Sequence, residues 1–289
     1  MNVVVAVVTV GLVGCIAEVG SVEDLTEDED PSVVEIAAVT DSFACYRPET
    51  ASSTNGGYSC SGSPNLSLST LCKEGSGASW HVSVNPSAAD MTMGVIAPHG
   101  GFIEPNTDTI ALGLASELGL PHYVFFGHAA TSCLDKYGGP NRSNHRALHI
   151  TSTHFNDARA ETLMRSVDRG VSIHGHGGPN KICVGGATPA LRTAFKSYYD
   201  TYARQHSPSN AAAVIATSDS DCSHIAGTSK HNISNRSRTG AGLQLELSDK
   251  IRKELVASKA GDRRLWTAFR NAVRAACRTS LSGVKGCGA

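Results

Sequence analysis

His99 and Glu104, in the stretch APHGGFIEP, are a histidine and a glutamate close enough in the chain to hold one metal ion together. A catalytic zinc typically takes three protein ligands from His and Glu or Asp and keeps a fourth position for water. His99, Glu104 and one later histidine would meet that count. Gly100 and Gly101 permit a tight reversal that returns Glu104 to a metal bound by His99, and Pro105 ends the turn. On spacing alone, a capping histidine followed by a surface glutamate is the better reading, so partners elsewhere must decide.

In open α/β sheets, reactive groups collect where strands end and loops begin. Several strand-like runs here end in His or Glu. His99 follows MGVIAP, His174 and His176 follow GVSI, His149 and His154 flank ITST, and Glu246 lies within GLQLELS. Alternation in that last run sends Leu243, Leu245 and Leu247 to one face and Gln244, Glu246 and Ser248 to the other. An acid beside a leucine face is expensive to bury without purpose, so Glu246 is expected to face a polar cleft. The segment SKHNISNRSR carries Lys230, His231, Arg236 and Arg238, and arginine suits bidentate recognition of carboxylates. For Lys230 and Arg238 a solvated loop is an equal reading, and His154 suits either the cleft wall or a structural hydrogen bond.

The elements that must position these residues read as an α/β fold, with short β-branched runs alternating with helical periodicity. Strands are expected at WHVSVN, MGVIAP, YVFFGH, LHITSTH, GVSIHG, ICVGG, AAVIAT and GLQLELS. Helices are expected over 106–118, over 189–204 behind a Thr188-Pro189 start, and near the end behind Asp262. Their apolar stripes, such as Leu265, Phe269, Val273 and Cys277, are core.

The chain has 289 residues, enough for one sizeable α/β domain and a leader. A formal net charge of -1 provides no global field for nucleic acid, and none is expected as a partner. The apolar run from Met1 is too short to span a bilayer and reads as an export signal within 1–20, with a buried strand as the alternative because no Lys or Arg precedes it. Leu12-Val13-Gly14-Cys15 resembles a lipobox, so membrane contact is expected only through a lipid anchor on Cys15. Residues 21–57, acidic and then rich in Ser, Thr and Gly, read as a tether, and 58–289 as the single catalytic domain. Eight further cysteines without C-x-x-C spacing suit disulfides in a secreted or exported protein, although their pairing is not legible.

Taken in order, APHGGFIEP, NHRALHITSTHFND, VSIHGHGG, ICVGG, HNISNRS and GLQLELS resemble the motifs of the poly-gamma-glutamate hydrolase family, from about Tyr58 to about Val256. The resemblance implies a zinc carboxypeptidase-like fold: a mixed, mostly parallel central sheet flanked by helices. It implies one Zn(2+) per chain held by His99, Glu104 and His174, with Glu246 as general base. His176 departs from the family pattern and leaves His174 or His176 open as third ligand. Arg236 is implied as the residue gripping a substrate carboxylate or the developing oxyanion, with Asn235, Lys230, Arg238 and His154 around it. The implied substrate is poly-gamma-glutamate or a gamma-glutamyl peptide, cleaved by a protein expected to be monomeric. Two alternatives stay open: a zinc carboxypeptidase or amidase acting on peptidoglycan stem or ordinary peptides, and a surface binding module without catalysis.

Overall fold

The computed structural model describes residues 80–127 and 151–282 except 89, with 149, 284, 286, 287 and two short strands nearer the start. Those strands, β1 (Glu35–Ala38) and β2 (Phe43–Tyr46), pair antiparallel within the stretch expected to be an unstructured tether. The segment expected to be an export signal, with Cys15, and Cys60, Cys72 and Cys133 lie outside the described residues. Among the described residues no helix is long and apolar enough to cross a membrane.

A seven-stranded sheet forms the centre, in the order β3-β5-β4-β6-β9-β7-β8. Its strands are β3 (Trp80–Asn85), β4 (Met93–Gly101), β5 (His122–Gly127), β6 (Arg169–His176), β7 (Lys181–Gly185), β8 (Ala212–Ile215) and β9 (Ala241–Ser248). The middle strands β5, β4, β6 and β9 run parallel, while β3 pairs antiparallel with β5 and β7 antiparallel with β9. Parallel strands covered on both faces need continuous apolar runs, and VIA in β4 and YVFF in β5 supply them.

Among the described residues five helices flank the sheet: α1 (Thr107–Leu118), α2 (Ala158–Ser166), α3 (Pro189–Tyr198), α4 (Asp249–Ala260) and α5 (Arg264–Arg278). The larger core joins Val95, Val171, Leu243 and Leu245 to side chains of α1, α3, α4 and α5, including Leu114, Phe195, Leu255 and Trp266. On the opposite face Ile96, Tyr123 and Phe125 pack with Leu163 and Met164 of α2.

Three local expectations are corrected. LHITSTH is no strand where it is described: residues 152–154 form a turn, with the His154 amide donating to the Thr151 carbonyl. Thr151 and Ser152 are buried there without joining a ladder. The helix expected to 204 gives way at Tyr199 to a π-helical turn and then a 3₁₀ turn, and AAVIAT leaves strand geometry after Ile215. Helices α2 and α4 were not foreseen, although each has a legible cap. Asp157 accepts from the Arg159 amide, and Ser248, last residue of GLQLELS, caps α4.

Candidate metal centre

The turn 99–104 is built from backbone bonds. Glu104 N donates to the His99 carbonyl at 2.8 Å, and Phe102 N to the Gly127 carbonyl at 2.9 Å. Gly101 has φ 70° and a Cβ there would run into the Gly127 carbonyl, so the reversal needs glycine. The register of β4 on β5 shifts between Ala97 and Gly100. Such an irregularity breaks the alternation of β4 and re-aims His99 towards β6.

There His99 meets His174. His99 Nδ1 lies 2.8 Å from Glu104 Oε1 and 3.1 Å from His174 Nδ1, and His174 Nδ1 lies 3.6 Å from Glu104 Oε2. All three side chains are buried, and they are the one His, Cys, Asp or Glu group among the described residues arranged to hold a metal ion. Tetrahedral zinc with N and O ligands at its usual bond lengths separates neighbouring donors by about 3.3 Å. The observed separations bracket that value. Two imidazole nitrogens and a carboxylate this close, away from water, require a cation or shared protons between them, so the donor set fits a divalent metal. Burial pushes the Glu104 carboxyl up, but His99, His149 and His174 around it win and hold it well below the usual carboxylate range.

Strand register supplies the fourth group. His174 of β6 stands opposite Glu246 of β9, and Glu246 Oε1 is 4.0 Å from His174 Nδ1. Gln244, two residues back on the same face, donates to Glu246 Oε1 at 3.0 Å and itself accepts from Asn232 at 2.8 Å. Glu246 is thus buried, oriented and next to the three donors without belonging to them.

His176 does not join. Its Nδ1 accepts from the Gly178 amide at 3.1 Å and its other nitrogen faces the Lys181 carbonyl at 3.1 Å, so both serve the β6–β7 turn. Arg238 pairs with Asp168, which precedes the start of β6, the end of the strand away from His174. Asn235 spends its side chain on Ala187, Gly227 and Ser229 backbone groups. These partners do not bring Arg238 or Asn235, both expected at the substrate, to His99, Glu104 and His174. Arg236 donates to the Phe155, Thr153 and His231 carbonyls and to Glu161. Lys230 is exposed on the neighbouring loop, and burial, with Arg236 and His231 nearby, lowers the pKa of half-buried His154.

Four contributors receive no role from the sequence, although His149 is noted there beside ITST. Ser152 Oγ lies 3.2 Å from His174 Nε2, and the His149 ring stacks on His99 with centroids 3.9 Å apart. Gln244 had been placed only on a polar face. Arg252 of α4, buried, donates to the Leu247 carbonyl at 2.7 Å and lies flat against Gly175, where a Cβ would collide with it. Its charge is offset by Glu104, Asp249 and Glu246.

Comparison with known proteins bears on the family and the fold. The model of the family described as Poly-gamma-glutamate hydrolase matches residues 67–271. The chain is 32% identical to SPbeta prophage-derived UPF0714 protein YoqZ of Bacillus subtilis (strain 168) over 161 residues, 56% of this chain and 50% of YoqZ. It is 28% identical to UPF0714 protein YmaC of the same organism over 186 residues, 64% of this chain and 69% of YmaC. Against YoqZ and UPF0714 protein YndL, also from that strain, the chain spans about half the relative's length. Among solved structures, that of a bacteriophage poly-gamma-glutamate hydrolase superposes with TM-score 0.53 at 25% identity, covering 68% of this chain and 87% of that one.

Proposed function

From the premise that this chain belongs to the poly-gamma-glutamate hydrolase family, we propose that it is a zinc-dependent hydrolase of gamma-glutamyl amide bonds. The observation that carries the reading is the buried convergence of His99, Glu104 and His174 with Glu246 beside them. His99 and His174 would hold the ion through Nδ1 and Glu104 through its carboxylate. When bound, zinc supplies Lewis acidity, lowering the pKa of a water towards neutrality and polarising the scissile carbonyl.

The rest is work for this chain's own groups. Glu246 accepts a proton from the attacking water on Oε1 or Oε2 and passes it to the leaving amine nitrogen, so the C–N bond breaks with a neutral amine departing. Gln244 holds the carboxylate facing the donors while that proton is transferred. His149, stacked on His99, closes one wall of the centre against water. The free α-carboxylates of a gamma-linked polymer would meet Lys230 and His154, beside the turn that carries Ser152.

Purified protein offered poly-gamma-glutamate, ordinary peptides and peptidoglycan stem peptides tests the proposal. Shortening of the polymer by size-exclusion chromatography, stopped by chelator and restored by zinc, is the expected result. Cleavage of peptides alone, or an intact polymer at every metal loading, would overturn it.

A further inference from the structure

His174 has two ring nitrogens with different tasks. Nδ1 faces His99, Glu104 and Glu246, whereas Nε2 faces the buried Ser152 hydroxyl at 3.2 Å. A histidine that ligates through Nδ1 keeps its lone pair there, so its proton sits on Nε2 and donates to Ser152 Oγ. Ser152 is not on a strand. It sits in the turn that replaces LHITSTH, and the carbonyl of Ser152 accepts from the Ile233 amide at 2.9 Å.

Arg236 holds that turn. One terminal nitrogen donates to the Phe155 carbonyl at 2.8 Å and to Glu161 Oε1 at 2.7 Å, the other to the Thr153 carbonyl at 2.7 Å, and Nε to the His231 carbonyl at 2.8 Å. A planar fork that spans two loops in this way fixes both, which a lysine could not do. Its donors are committed to the Thr153 and Phe155 carbonyls just after Ser152, to the His231 carbonyl and to Glu161.

We infer that Arg236 and Ser152 are a linked pair of positioning residues: Arg236 fixes the turn, and the Ser152 hydroxyl fixes the tautomer and ring plane of His174. This rests on the reading of His99, Glu104 and His174 as a metal centre. It assigns Arg236 to the metal ligand's support rather than to the substrate. Partners of this kind typically change metal affinity by 10- to 100-fold when removed.

The test is zinc affinity of the full chain, measured by competition with a chromogenic chelator, alongside the melting temperature of the metal-free protein. Ser152→Ala is expected to bind zinc at least about tenfold more weakly, with little change in metal-free melting, and Ser152→Thr to recover most of the loss. Arg236→Gln should reproduce the loss, and the double variant should be no weaker than the weaker single one, because both act through one path. If Arg236→Gln does not fold, the Ala and Thr variants at 152 still decide. Wild-type affinity in Ser152→Ala overturns the inference, as does an Arg236→Gln protein whose KM rises while zinc affinity stays unchanged. A wild-type chain that binds no zinc overturns the metal reading as well, whereas equal binding by wild type and Ser152→Ala overturns this inference alone.

Discussion

His99 and Glu104 lie 2.8 Å apart because a glycine turn folds one back on the other. Gly101→Ala places a side chain both at positive φ and against the Gly127 carbonyl. It is expected to lower unfolding free energy by about 1 to 3 kcal/mol in a denaturant titration, and an unchanged midpoint would contradict the need for glycine here. The residues of the centre were legible because His and Glu at strand ends are conspicuous by type. What types do not convey is which end of a strand a loop reaches. Arg236 and Arg238 stand two residues apart, yet one clasps the turn beside His174 and the other pairs with Asp168 at the far end of β6. Ser152, an ordinary serine in a β-branched run, offered no signal until its turn was seen packed on His174.

At the scale of elements, the alternation of GLQLELS gave both faces of β9, and the register of β6 on β9 then sets His174 opposite Glu246. The failures have one cause: tertiary packing overrode local pattern. Thr151 and Ser152 are buried outside any ladder, with the Ser152 hydroxyl on His174, and α3 loosens into a π-helical turn at Tyr199. Cysteine pairing was equally hidden in sequence. Cys183, the ladder partner of Glu246, bonds to Cys222, beyond the end of β8, and Cys277 bonds to Cys287. The first closes a loop with sequence separation 39. Replacing Cys183 and Cys222 together by alanine should cost about 2 to 4 kcal/mol of stability, read by denaturant melting of the oxidised proteins. Identical curves would mean that the bridge constrains nothing that the sheet has not already fixed.

For the whole molecule, one mixed sheet carries every group of the centre on its parallel middle strands and the loops at their ends, the arrangement the α/β alternation foretold. A formal net charge of -1 gives no long-range pull on a polyanion, so the proposed substrate would have to be recognised by local groups near the cleft. The family match covers residues 67–271, and the central proposal within it is chemical: three residues would hold a metal, and Glu246, outside that group, would move the proton. The direct measurement is metal content together with hydrolysis of poly-gamma-glutamate for wild type and Glu246→Gln. The account predicts about one zinc per chain in both proteins, with cleavage reduced by at least about a hundredfold in the variant. A protein without metal, or a Glu246→Gln variant that still cleaves at the wild-type rate, would contradict it.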